Sequence, residues 1–172
     1  MRLALNALIL SSALGGGHSW GAEECAFKWD IHLEHSLFTG AAKSATAGST
    51  ASDATNVDLG ALYTVKLASS EGVHYDAAPG KKPLTEGTYG GMLSFKVQKD
   101  GTYRVAVDGP YWIDVVSDHQ LIQSKDFGGP QNCPGGPRKL VAFELKGNAT
   151  YLLQISRAPA DQAKVLVTAA AP

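Results

Sequence analysis

From Leu59 onward, apolar and polar residues alternate with a period of two, the pattern of strands with one buried face. Tyr63, Val65 and Leu67 alternate with Leu62, Thr64 and Lys66, and Leu93, Phe95 and Val97 with Ser94, Lys96 and Gln98. Asp100-Gly101 predicts a hairpin turn into Tyr103, Val105 and Val107. Gly109-Pro110 breaks the chain before a strand over Tyr111 to Val116. Further strands are predicted from Val141 to Leu145, from Tyr151 to Ile155 after a turn at Gly147-Asn148, and around Val165 and Val167. Short strands are expected at Val73-His74-Tyr75 and at Gln120 to Gln123. Eight or nine strands joined by hairpins predict antiparallel pairing, and that many strands predict two packed sheets. The expected fold is all-β: an antiparallel β-sandwich of jelly-roll type over residues 59–172, with a short N-terminal helix before it.

Ahead of the sandwich the period differs. Asp30 is placed to N-cap a short helix carrying Ile31, Leu33, Leu37 and Phe38, with Glu34 in the first turn where the helix dipole favours an acid. Leu33 and Leu37 mark its expected packed side, and Phe27 and Trp29 would help dock it. From Lys43 the chain offers only small and polar side chains until Val57, which predicts a flexible loop. Residues 22–58 therefore read as helix plus loop.

Residues 1–21 read as a leader. Arg2, the apolar run Leu3 to Ala13 and the small-residue stretch ending Ser19-Trp20-Gly21 form a secretory signal, with cleavage expected after Gly21. The apolar run is about half of the ~20 residues a spanning helix needs, and no lipobox precedes Cys25, so no membrane anchor is expected after cleavage. A periplasmic or secreted location follows. In such a compartment the 2 cysteines, Cys25 and Cys133, are expected to form one disulfide; a redox or thiolate-metal site normally uses closer spacing such as C-x-x-C. The 15 basic and 16 acidic side chains nearly balance and no basic run stands out, which argues against nucleic acid or an anionic membrane as partner. A small molecule or another periplasmic protein is the expected partner.

The densest chemistry lies between Trp112 and Lys139. Trp112 and Asp114 share one strand face, and the loop beyond carries Asp118, His119, Asp126 and Phe127 before the Cys133 turn and Arg138. Trp112, Asp114, His119, Phe127 and Arg138 are the candidate ligand-binding residues; the competing assignment makes the tryptophan a core residue and the aspartate a loop anchor. His32 and His35, three apart around Glu34, are the candidate metal ligands, although a solvated helix face explains them too. Gly128-Gly129-Pro130 and Gly135-Gly136-Pro137 lack the G-K-[ST] ending of a phosphate loop, and no G-x-S-x-G elbow occurs. No catalytic residues and no cofactor are expected. The chain reads as a non-catalytic binding or accessory module. The alternative is a metal-dependent enzyme combining His32, His35 or His119 with Glu34, Asp114 or Asp118.

The run Cys25-Ala26-Phe27-Lys28-Trp29-Asp30, with Leu37-Phe38, Gly101 to Val105, Trp112 to Val116, the Cys133 turn and Lys139 to Leu145, resembles a family of small exported proteobacterial proteins of unknown function. Some members carry the label homogentisate 1,2-dioxygenase. That enzyme is several-fold larger and holds iron through two His and a Glu on a cupin-type core, whereas the close group here, His32, Glu34 and His35, falls on a predicted helix. A looser similarity, over Leu93 to Val116, is to pre-peptidase C-terminal β-sandwich modules, which are accessory domains without an active site.

Overall fold

The long alternating segments all become strands. The structure, a computed structural model, describes residues 27–82, 84, 86–129 and 133–170. The expected leader and Cys25 lie outside these residues. In chain order the elements are α1 (His32–Phe38), β1 (Lys43–Thr46), β2 (Thr55–Asn56), β3 (Leu62–Lys66), β4 (Ala68–Ser69), β5 (Tyr89–Val97), β6 (Gly101–Val107), β7 (Trp112–Ser117), β8 (Gln120–Ile122), β9 (Ser124–Gly128), β10 (Lys139–Leu145), β11 (Ala149–Ala158) and β12 (Gln162–Ala169). One sheet runs β1-β3-β12-β6-β10-β9 and the other β2-β5-β11-β7-β8, with β4 beside β5. Their inner faces meet over Val65, Phe95, Val105, Val115, Phe143, Leu153 and Val167.

Eight of these twelve strands form the body of the sandwich, and they pair from the outside inward. β3 pairs with β12, β5 with β11, β6 with β10 and β7 with β8, all antiparallel. That rolled-up double strand is the jelly roll the alternation predicts. The connections correct the expected hairpins. β5 and β6 lie in different sheets, as do β10 and β11, so Asp100-Gly101 and Gly147-Asn148 sit in arches over the end of the sandwich. The two arches are bonded together: Asp100 accepts from the Gly147 amide at 2.8 Å and from Lys146 Nζ at 3.0 Å. A side chain at Gly147 would run into Gln98 O at 2.7 Å and Lys99 Cα at 2.8 Å, so the close approach requires glycine there.

Segment 43–57 is also corrected. It is no loop: it adds β1 parallel to β3 and β2 parallel to β5, so the sheets are mixed at these edges. Backbone pairing needs no large side chains. Gly48 and Met92 exchange amide–carbonyl bonds at 2.8 and 2.9 Å, and a side chain at Gly91 would meet the Ala47 Cβ at 2.6 Å. Val73-His74-Tyr75, expected as a strand, is not one, whereas β9, expected as loop, pairs with β10.

α1 packs on the outer face of the first sheet, where Ile31 and Phe38 join Leu62, Ala106, Leu140 and Leu166. The expected cap is corrected: Ile31 is the N-cap and no side chain among the described residues caps the helix, while Asp30, one residue earlier, accepts from the His32 amide at 2.9 Å in a local turn. The packed side differs from the expectation. Leu33 is 52% exposed, while Glu34 is 2% exposed and turned inward. Its Oε1 accepts from Arg104 Nη1 at 3.2 Å and from Thr168 Oγ1 at 3.0 Å, because the sheet face beneath offers a half-buried guanidinium and a buried hydroxyl.

Candidate functional site

Residues 73–82 explain why Val73 to Tyr75 is not a strand. The segment crosses the outer face of the second sheet, and side chains of that face satisfy its backbone in place of a neighbouring strand. Gln154, 1% exposed in β11, accepts from the Ala77 amide at 3.1 Å and donates to the Ala77 carbonyl at 3.0 Å. Asp114 Oδ2 accepts from the Gly80 amide at 3.1 Å, and Arg157 donates to the Lys82 carbonyl at 2.8 Å. Tyr75 donates to the Ile155 carbonyl at 3.0 Å, its hydroxyl occupying space that a Gly90 side chain would fill. Burial pushes the Tyr75 phenol up to about 12, with the Asp114 charge adding to the shift.

Where this strap reaches the start of β7, a cluster forms around Trp112. Alternation along β7 sends Ile113 and Val115 into the core and Trp112 and Asp114 to the outer face. The indole Nε1 donates to Asp114 Oδ1 at 3.0 Å, which fixes the ring. Two ammonium groups flank it: Lys139 Nζ lies 5.2 Å from the ring centroid and Lys81 Nζ 5.7 Å. Lys139 arrives from the first residue of β10 in the other sheet and donates to the Tyr111 carbonyl at 2.9 Å. Burial pulls its ammonium pKa down, opposed by the Asp114 carboxylate and reinforced by Lys81. Ser156, the register partner of Trp112, is buried, and its hydroxyl has no hydrogen-bond partner among the described residues.

Asp114 is a lever on pH dependence. Burial raises its pKa above the ordinary 3.8, against the bonds from Gly80 and Trp112 and the Lys139 charge. The folded state thus holds this proton more tightly than the unfolded chain, so its contribution to stability falls as pH rises through the raised value. Urea midpoints between about pH 4 and 7 are expected to show the wild type losing ground against Asp114→Asn as pH climbs. A difference that stays flat over that range contradicts the assignment.

The structure brings together two of the five expected ligand-binding residues, Trp112 and Asp114. His119 lies at the far end of β7, roughly 16 Å away at about 3.3 Å per residue. It forms with Asp118 a two-residue hairpin turn with φ of 61° and 49°, and its Nδ1 is 2.8 Å from Asp76 Oδ1 at the start of the strap. Phe127 is 67% exposed on the edge strand β9, and Arg138 is exposed beside Lys139. His32 and His35 stand on α1 across the sandwich from Asp114 and His119. A side chain at Gly136 would meet the His35 ring, with Cδ2 at 2.7 Å, and the Cys133 Sγ, so α1 lies against the Cys133 turn. Glu34, one of the acidic residues offered as a further donor beside Asp114 and Asp118, is committed to Arg104 and Thr168. Among the described residues no three His, Cys, Asp or Glu side chains are grouped to hold a metal ion.

Sequence reasoning missed Lys81 and Gly80, which sit in a segment without motif or period, and gave Tyr75 only a place in a strand that does not form. Gln154 did carry a signal. It interrupts the apolar run Leu152-Leu153-Gln154-Ile155, and a buried amide in a strand must find partners outside the ladder.

Compared with protein-family models and with curated proteins, the chain matches none. Among solved structures it is similar to the pre-peptidase C-terminal domain of collagenase from Bacillus anthracis, at 11% sequence identity and a TM-score of 0.40, over 67% of this chain and 94% of that chain.

Proposed function

We propose that the protein is an exported, non-catalytic β-sandwich module that binds a small molecule or another periplasmic protein through the surface around Trp112. The observation that carries this reading is the indole pinned by Asp114 with the Lys81 and Lys139 ammonium groups within 5.7 Å of its centroid. An aromatic surface with a few fixed polar groups supplies apolar contact and orientation together. The buried Ser156 hydroxyl beside it has no hydrogen-bond partner among the described residues. A metal-dependent enzyme is the weaker reading, because its donors lie on opposite outer faces of the sandwich and Glu34 is already paired.

A thermal-shift screen of wild type and Trp112→Ala tests the site, with circular dichroism checking that the variant is folded. A ligand at about 100 times its Kd adds about 2.7 kcal/mol of apparent stability. That gain is expected to vanish in Trp112→Ala; a hit whose shift survives the substitution places binding elsewhere.

Export and a Cys25–Cys133 disulfide belong to the same proposal. What supports the pairing is proximity: the position of a Gly128 Cβ is 3.4 Å from the Phe27 ring, two residues past Cys25, and α1 touches the Cys133 turn. Non-reducing mass spectrometry of periplasmic protein is expected to give the chain cleaved after Gly21 less two hydrogens. Two alkylatable thiols would refute the bridge.

A further inference from the structure

The end of the sandwich opposite Trp112 holds a cavity of about 420 Å³, lined by residues 56–59, Lys96, Gln98, Lys99 and Tyr103. It lies where β2 crosses to β3 and β5 arches to β6. Trp112 stands at the other end of β6, roughly 20 Å away at about 3.4 Å per residue. Its volume falls in the range of small-ligand sites, about 300–1,000 Å³.

Local structure gives this cavity fixed walls. Val57, whose amide donates to the Ser94 carbonyl at 2.8 Å, and Tyr103, whose hydroxyl donates to the Lys99 carbonyl at 2.9 Å, are both buried and form its apolar part. Asp58 is the one carboxylate among the lining residues, and it is already neutralised. It accepts from Lys43 Nζ and from the Tyr63 hydroxyl, each at 2.9 Å, and these bonds hold its pKa below the ordinary value. The cations on the other wall have no such partner: Lys96 and Lys99 form no ion pair or side-chain hydrogen bond among the described residues. The Asn56 and Gln98 amides complete the polar lining with groups that both donate and accept.

We propose that this cavity is a second binding site, distinct from the Trp112 surface, for a small hydroxylated organic anion. Lys96 and Lys99 receive its carboxylate or phosphate, Asn56 and Gln98 pair with its hydroxyl groups, and Val57, Leu59 and Tyr103 contact its carbon skeleton. Two uncommitted ammonium groups beside a neutralised acid select for negative charge, and side-chain amides suit hydroxyl groups that need donor and acceptor at once.

Amide-resolved NMR titration of ¹⁵N-labelled protein tests it with three probes of like size: glucuronate, glucose 6-phosphate and neutral glucose. Saturable shifts at Asn56, Gln98 and Lys99 are expected with at least one acidic probe, and which one answers distinguishes carboxylate from phosphate. Lys96→Gln/Lys99→Gln changes only exposed side chains, and the same spectra verify its fold; it is expected to weaken that binding by about tenfold or more. Equal binding of glucose, undiminished binding in the double variant, or no saturable shift with either acid overturns the proposal.

Discussion

Glu34→Ala is expected to destabilise the protein by about 3 kcal/mol, the low end of the cost of removing one partner from a buried ion pair. The carboxylate is 2% exposed and joins three elements: α1 through its own backbone, β6 through Arg104 and β12 through Thr168. Removing it leaves the Arg104 guanidinium beneath the helix without a counter-charge and the Thr168 hydroxyl without its acceptor. The low end applies because Arg104 keeps its 2.8 Å bond to the Asp30 carbonyl, stacks 5.4 Å from the Trp29 centroid and is 13% exposed. Glu34→Gln retains an acceptor and is expected to cost about half as much. The Glu34→Met/Arg104→Met pair is expected to fall well short of the sum of the single changes, since a buried pair replaced by apolar groups of similar volume is often neutral. Urea denaturation of wild type, Glu34→Met, Arg104→Met and the double variant checks this, with Glu34→Ala and Glu34→Gln measured alongside; additive losses would show that the two side chains act independently.

That cluster also marks a limit of sequence reading. The helix at residues 32–38 was legible, because an apolar set at helical spacing is a local signal, although its N-cap is Ile31 and not the aspartate before it. Its orientation was not. Leu33 and Leu37 outweigh a glutamate on any hydropathy count, but Arg104 and Thr168, 70 and 134 residues away, turn the glutamate inward. Edge strands β1 and β2 were hidden for a related reason, since they join through backbone bonds that small residues such as Ala45 and Gly48 permit and do not announce.

The strands of the sandwich were legible and their connections were not. Alternation reports which face of a strand is buried, and Asp-Gly or Gly-Asn reports that the chain reverses. Neither says whether the reversal stays within a sheet. Here the reversals after β5 and β10 cross between sheets, and the close stacking of the two arches through Asp100 and Gly147 is visible only once both are in place. The candidate site follows the same division. Trp112 and Asp114 could be assigned to one face from period two, but their neighbours Lys81 and Gly80 come from a strap with no pattern of its own. His119 was drawn in by sequence proximity, although the length of β7 separates it from Trp112.

Phe95→Ala is expected to cost about 4 kcal/mol, within the range of about 3–5 for truncating a fully buried phenylalanine. The ring is 0% exposed on the inner face of β5 and stacks on Tyr151, its register partner in β11, with centroids 5.8 Å apart and planes at 28°. The cavity left behind would not relax easily, because Tyr151 is fixed at its far end. Its hydroxyl accepts from the Lys146 amide at 2.9 Å and donates to the Lys146 carbonyl at 3.1 Å, at the arch that carries the chain from one sheet to the other. Phe95→Leu keeps most of the volume and is expected to cost only about 1.5 kcal/mol. Against a total stability of about 5–15 kcal/mol, the larger loss leaves the alanine variant folded but marginal at the low end of the range. Urea midpoints with an unchanged m-value are the readout. A loss below about 2 kcal/mol would mean that the two sheets close without this stacked pair and that the arch, held by Asp100 and Gly147, fixes their spacing by itself.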